Sequence, residues 1–249
     1  MFGTLALDNS DLLVLILICF FAGLIRGFSG FGLSAFVMSL ALTIIPPIEL
    51  IPVCWWMEFF ASVFMIKNGW KDSDKKISII LWLGAIFGLP MGILLTTILD
   101  FQTSKIIALV LILILALILL KNFKIQFLST TAGTGFSGAC AGVATGLASI
   151  GGMIVATYVL ASQNSARRMR ASLVLYILLN SVTTFIFLIL FDVMDQKAFM
   201  RGVLLAFPSS IGVVLGSILF MQKLEKYYRP CSLGLLISFS LVGLIRFIG

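Results

Sequence analysis

The sequence predicts an all-α polytopic membrane protein built from two inverted repeats, residues 1–125 and 126–249, in a single integral membrane domain. Hydrophobic residues make up 61% of the chain and charged residues 11%, whereas soluble domains average roughly 45–50% and about 25%. A glycine-rich segment occurs once in each half, and the basic residues fall in short loops between apolar runs. Each repeat is therefore expected to contain a glycine-broken, re-entrant-like helix unit followed by three transmembrane helices.

The glycine-rich segment reads AGLIRGFSGFG at residues 22–32, where it interrupts an apolar helical run. A shift of 119 residues aligns it with AGVATGLASIG at residues 141–151. Glycine-interrupted hydrophobic segments at corresponding places in two halves indicate the binding site of a transporter. The alignment keeps one alanine and three glycines: Ala22/Ala141, Gly23/Gly142, Gly27/Gly146 and Gly32/Gly151.

The first half opens with Asn9-Ser10-Asp11, a cluster of helix-capping residues; the acidic start differs from a cleavable signal peptide. The apolar stretch that follows has about 15 residues, fewer than the roughly 20 of a straight span. Together with Pro46-Pro47, this favours a broken or re-entrant unit. The predicted segments are a helix at 12–26, a break at 27–32, a short helix at 33–43 and spans at 49–66, 77–98 and 104–120.

The second half repeats this plan. A glycine-broken unit is predicted at 130–161, and spans are predicted at 171–191, 198–221 and 231–247. Three arginines, Arg167, Arg168 and Arg170, lie before the first of these spans. We interpret them as a basic loop that only signals topology.

The basic residues predict the orientation of the helices. Cytoplasmic loops are enriched in Lys and Arg, so both chain ends are expected outside the cytoplasm. The first half then begins outside and the second half begins inside, which gives inverted repeats. The predicted inner loops carry 12 of the 17 basic residues: Lys67, Lys71, Lys75, Lys76, Lys121, Lys124, Arg167, Arg168, Arg170, Lys223, Lys226 and Arg229.

Three function classes find no support in the composition. The net charge of +7 is spread over loops rather than gathered on one soluble face, which argues against nucleic-acid binding. The chain has no histidine, and its four cysteines form no CxxC pair. Both features argue against a metal site and against a catalytic nucleophile with its base. We expect no enzymatic activity, no metal, no cofactor and no nucleic-acid partner.

A helix break inside the membrane can hold an anion without a full buried cation. The start of the second helical piece has unpaired backbone N–H groups and about half a positive charge from the helix dipole. Glycine lets the anion approach that backbone. Four further glycines, Gly23, Gly27, Gly142 and Gly146, either belong to the site or only let helices pack closely. We predict that these residues line the substrate site: Ser29, Gly30, Gly32, Ser149, Gly151 and Gly152.

Arg26 and Glu58 lie at similar predicted depth, about 21 Å and about 15 Å along their helices. A charge at mid-membrane costs at least ~2.5–3.5 kcal/mol, which calls for a partner or a function. They form either a static ion pair or a site in which Arg26 binds the anion and Glu58 is a candidate for proton coupling. Asn180, about 14 Å into its span, either binds substrate or contacts a neighbouring helix. Trp55 and Trp56 either wall the site or pack in the core.

These motifs resemble the TauE/SafE family of sulfite and sulfonate exporters. The resemblance rests on AGLIRGFSGFG at 22–32, on Pro46-Pro47, on GLASIGG at 146–152 and on the two-half layout of nearly the whole chain. Met153 stands where the family often has a proline, and Gly30-Phe31-Gly32 stands where it has a denser glycine run.

The resemblance implies a secondary transporter that exports a small sulfur-containing oxyanion, sulfite or a small organosulfonate. The substrate would bind at mid-membrane between the two glycine-broken units. The alternatives are an anion channel or a family carrier for a different small anion. The expected partners are the small anion and the lipid bilayer of the inner (plasma) membrane, with the oligomeric state left open.

Overall fold

The computed structural model describes residues 8–42, 44–120, 130–161 and 165–221, together with the single residues Gly234 and Leu241. This part of the chain is helical and contains no strand. Lys121, Lys124 and the span predicted at 231–247 lie outside it, apart from those two residues. The helices are α1 (Asn9–Ser29), α2 (Leu33–Ala41), α3 (Pro47–Asp72), α4 (Lys75–Ile98), α5 (Phe101–Leu120), α6 (Thr131–Ala148), α7 (Gly151–Ala161), α8 (Ala166–Leu190) and α9 (Gln196–Met221).

Five of these helices, α1, α3, α4, α8 and α9, are long and apolar enough to cross a membrane. Their outward faces carry large apolar side chains, among them Phe87, which is 80% exposed, and Phe207, which is 72% exposed. Side chains of this kind fit a hydrocarbon solvent rather than water. The chain is a multi-pass membrane protein.

The first helix is longer than the sequence predicted. It continues through Gly27 to Ser29, and its 21 residues extend about 31 Å at 1.5 Å per residue, enough to span the bilayer. The predicted break at 27–32 is confined to its second half, because only Gly30 and Gly32 have positive φ. The expected capping by Asn9-Ser10-Asp11 is also wrong, since Asp8 is the N-cap and makes no side-chain cap.

The helices also continue through two predicted loops. Helix α3 ends at Asp72, six residues beyond the predicted end of its span, and α8 already begins at Ala166. Arg167, Arg168 and Arg170 are therefore helical rather than in a loop. The Ser165 hydroxyl accepts a hydrogen bond from the Arg168 N–H and caps this early start.

Two pairs of helices pack through glycines. Helix α1 lies against α9, where Gly23 meets the backbone of Ser209 and Gly27 meets that of Val213. Helix α4 lies against α6 in the same way, with Gly142 on Ala85 and Gly146 on Leu89. The two glycines of each broken unit thus provide close helix contact, the packing alternative raised for them from the sequence.

The contacts also give the relative directions of the helices. Helices α1 and α9 run the same way, because both contacts between them advance along both chains, and α4 and α6 do the same. Helices α3 and α8 run antiparallel. Near one end Trp55 stacks on Phe185, and at the other Asp72 pairs with Arg167.

Candidate functional site

The first break, between α1 and α2, is closed by its own residues. Gly30 at φ 84° and Gly32 at φ 88° adopt left-handed conformations that L side chains rarely take. Ser29 Oγ lies 2.7 Å from the carbonyl oxygens of Ile25 and Phe31. The hydroxyl of Ser29 is therefore used within the break, and its side chain is fully buried.

Arg26 and Glu58 form the ion pair that their predicted depths suggested. Arg26 Nε donates to Glu58 Oε2 at 2.8 Å. The same guanidinium donates through Nη1 to the Gly30 carbonyl and through Nη2 to Ser62 Oγ at 3.2 Å. The Arg26 side chain is completely buried, whereas that of Glu58 is 13% exposed.

The other oxygen of Glu58 lies at the start of α2. Glu58 Oε1 accepts hydrogen bonds from Ser34 Oγ at 3.0 Å and from the Ser34 backbone N–H at 3.4 Å. Unpaired N–H groups and the helix dipole make this end of a helix favourable for a negative charge. The first break thus already holds an anion, and that anion is a side chain of the protein.

A carbonyl near the end of each broken helix has a hydroxyl of a neighbouring helix within hydrogen-bond distance. Ser217 of α9 donates to the carbonyl of Gly27 at 3.2 Å, and Thr96 of α4 lies 3.1 Å from the carbonyl of Gly146. Arg170 Nη2 also donates to the Gly27 carbonyl and to Ser217 Oγ. The expectation that Arg170 only signals topology is therefore wrong for this arginine.

The second break, between α6 and α7, is built differently. Ser149 takes the left-handed conformation at φ 58°, and its N–H donates to the Thr145 carbonyl at 2.7 Å. Gly151, the first residue of α7, packs against the Ala141 carbonyl and the Thr145 hydroxyl. Gly152 is less crowded, because a Cβ added there would first meet the side chain of Ile177 at 3.3 Å.

A small cavity of about 30 Å³ lies beside this second break. Its volume suits a water molecule and is far below the roughly 300–1,000 Å³ of typical ligand pockets. Glu58 reaches it from the first half of the chain, so the cavity touches both halves. It is lined by Trp55, Glu58, Thr145, Ser149, Gly152, Tyr176, Ile177, Asn180, Ser181 and Thr184.

Two polar atoms at this cavity make no normal hydrogen bond. Asn180 Oδ1 is buried without a partner, while its Nδ2 makes a long 3.4 Å bond to Thr184. Tyr176 Oη lies near Thr145 but forms no bond of standard geometry. Buried polar atoms are rarely left unsatisfied in native proteins, so these two atoms are available to bind a polar ligand or water.

Four of the nine predicted site residues line the cavity: Glu58, Ser149, Gly152 and Asn180. Arg26 lies behind Glu58, while Ser29, Gly30, Gly32 and Gly151 do not line the cavity.

The cavity residues that the sequence did not predict include Thr145 and Tyr176. The first was within reach, because a shift of 119 residues places Thr145 at the position of Arg26. A tyrosine in an apolar run carries no such signal. Trp55 lines the cavity and donates through Nε1 to the Ser181 carbonyl at 2.8 Å, whereas Trp56 packs against Phe60 and Phe199 outside it. Within the described ranges, no group of three or more His, Cys, Asp or Glu could hold a metal ion.

Comparison with known proteins gives one family. The family model described as "Sulfite exporter TauE/SafE" matches residues 15–243, nearly the whole chain. No curated protein and no solved structure matches significantly. With its apolar spans, its two broken helix units and this match, the chain belongs to the TauE/SafE sulfite exporter family of membrane transport proteins.

Proposed function

We propose that the protein is a secondary carrier that exports a small sulfur oxyanion, sulfite or a small organosulfonate, through the cavity at the second break. The observation that carries the proposal is the pair of unpartnered atoms, Asn180 Oδ1 and Tyr176 Oη, beside the start of α7. An oxyanion there would accept from Tyr176, from the Asn180 amide after rotation, and from the backbone of Gly152.

A positive charge supports this assignment. Arg26 lies just behind Glu58, completely buried, and its charge, which Glu58 balances, becomes available to a substrate anion when the carboxylate moves away. Discrimination between oxyanions would come from the few hydroxyl and amide groups around the cavity rather than from a metal or a second cation.

A carrier also needs a way to expose the site to one side at a time. We propose that the halves are inverted repeats that move against each other around the cavity. Helices α3 and α8, which correspond in the two halves, run antiparallel, as inverted repeats require. We place both chain ends outside the cytoplasm in the inner (plasma) membrane, with the α3–α4 turn inside.

Purified protein in liposomes tests the function. Flux of sulfite, methanesulfonate, sulfate and chloride should be measured with and without the same anion on the opposite side. A carrier for sulfur oxyanions should saturate, be accelerated by substrate on the opposite side, and favour sulfite or methanesulfonate over chloride. An ohmic anion current without such acceleration would instead support the alternative, an anion channel. Preference for another anion would support a family carrier of different specificity.

A further inference from the structure

The carboxylate of Glu58 has the surroundings of a bound oxyanion. It contacts the guanidinium of Arg26, the hydroxyl of Ser34 and the backbone N–H of Ser34 in the first turn of α2. Guanidinium groups, hydroxyls and helix N-termini are the donors by which proteins bind phosphate, sulfate and similar anions. The first break therefore contains a complete oxyanion site that is filled by a side chain.

The two partners of this ion pair are held unequally. Arg26 is anchored without Glu58, through its bonds to the Gly30 carbonyl and to Ser62 Oγ, and is completely buried. Glu58 is partly exposed, lines the cavity, and has one long bond of 3.4 Å to the Ser34 N–H. The guanidinium can stay in place while the carboxylate leaves.

An entering anion cannot simply be added beside Glu58. The cavity of about 30 Å³ has no room for an oxyanion while the Glu58 side chain forms part of its wall. Two negative charges next to a single Arg26 in a low-dielectric site also repel each other strongly. A protonated Glu58 would avoid both problems, because a neutral carboxyl no longer repels the anion and, once it leaves Arg26 and Ser34, frees their donors and the space beside the cavity.

We propose that Glu58 is a tethered anion that occupies an oxyanion site made by Arg26 and Ser34, and that the transported anion displaces it. This inference rests on the proposed function for the identity of the anion. On binding, the Glu58 carboxylate takes one proton from a hydronium ion of the solvent, which leaves water, its bonds to Arg26 and Ser34 break, and the oxyanion forms bonds to the same donors. The net charge at Arg26 stays constant for a monovalent anion, and release reverses every step.

Few other groups can titrate here. Around Glu58, the charged or titratable neighbours in the described part of the chain are Arg26 of α1, Cys54 of α3 and Tyr176 of α8. Helix α2 contributes the neutral Ser34, and α6 contributes the neutral Thr145 and, at its C-terminal end, Ser149. The proton is therefore assigned to Glu58.

The test uses infrared difference spectroscopy of the wild-type protein on adding sulfite, sulfate, methanesulfonate or chloride. At least one anion should produce a protonated-carboxyl band that is absent from Glu58→Gln. Glu58→Gln should also bind that anion about tenfold more tightly if Glu58 vacates the site in about a tenth of molecules. The matched control is Glu49→Gln, which removes the partner of Arg201 in an ion pair away from the cavity and should leave both readouts unchanged.

The outcomes separate the two proposals. If no anion produces the protonated-carboxyl band in the wild-type protein, the displacement proposal is wrong. This result does not depend on whether Glu58→Gln folds. Tighter binding by Glu58→Gln without that band would reflect charge removal alone and would also overturn it. If chloride alone protonates Glu58 and no sulfur oxyanion is transported, displacement stands and the proposed function fails.

Discussion

Glu58 of α3 and Asn180 of α8 face one cavity from opposite halves of the chain. Their helices run antiparallel. Glu58 is held by Arg26 and Ser34, whereas the Oδ1 atom of Asn180 has no partner. One half thus carries a charged residue with its counter-ion, and the other carries a neutral amide with unused hydrogen-bonding capacity.

Replacing Asn180 separates function from packing. Asn180→Leu keeps a similar volume and removes an unsatisfied buried atom, which typically costs about 1–3 kcal/mol. We therefore expect unchanged or higher stability in mixed-micelle unfolding, together with at least a tenfold loss of sulfite flux. If the amide only supports the fold, flux should survive in proportion to folded protein, and the site assignment would be wrong.

Gly152 should be the most informative glycine. Gly152→Ala adds one methyl group at the cavity, where only Ile177 lies within 4 Å of the new Cβ, so it should strongly reduce flux while the protein remains folded. Gly135→Ala is the control, because a Cβ there meets nothing within 4 Å. Equal flux in both variants would refute a substrate position beside Gly152.

Replacing Gly30 or Gly151 with leucine, by contrast, should prevent the protein from folding. Gly30 has a positive φ, and a Cβ there would lie 2.7 Å from Arg170 Cγ, while Gly151 lies against the Ala141 carbonyl. We expect large losses of folded protein for both, measured by fluorescence-detected size exclusion. If both variants fold well but do not transport, Gly30 and Gly151 would instead belong to the substrate site.

For the Arg26–Glu58 pair, we expect a second substitution to restore stability but not transport. Arg26→Ala leaves a carboxylate without its counter-ion and should destabilise the protein by about 3–5 kcal/mol. The double variant Arg26→Ala with Glu58→Gln should recover part of that loss in a double-mutant cycle, but none of the flux. Recovery of flux along with stability would mean that the pair is only structural.

Two arginines at the start of α8 should differ although they are close in sequence. Arg167 pairs with Asp72 at 2.7 Å with its side chain 69% exposed, so Arg167→Ala should cost about 0.2–1 kcal/mol. Arg170 is half-buried on the Gly27 carbonyl, so Arg170→Ala should cost about 1.5–3 kcal/mol. Unfolding in mixed micelles measures both, and equal losses would contradict this contrast.

Labelling of single cysteines tests the orientation. In a cysteine-free background, Lys76→Cys, at an exposed position next to the α3–α4 turn, should react with an impermeant maleimide only from the cytoplasm, and Met194→Cys only from outside. Reaction of both positions from the same side would exclude inverted repeats with this topology.

Sequence alone determined the membrane class, the family resemblance and the existence of two helix breaks. Long apolar runs have no other stable solvent than lipid, and a glycine cluster repeated at a fixed shift is visible without coordinates. Pairing of Arg26 with Glu58 was also predictable, because unpartnered charges are costly at mid-membrane.

Tertiary structure decided which residues of the breaks face open space. Gly151 and Gly152 are adjacent and identical in type, yet one packs on α6 and the other faces the cavity. Only the rotation of α7 against its neighbours separates them, and nothing local in the sequence encodes that rotation. For the same reason Tyr176, one of many side chains in an apolar span, becomes a cavity residue only when α8 packs against α3.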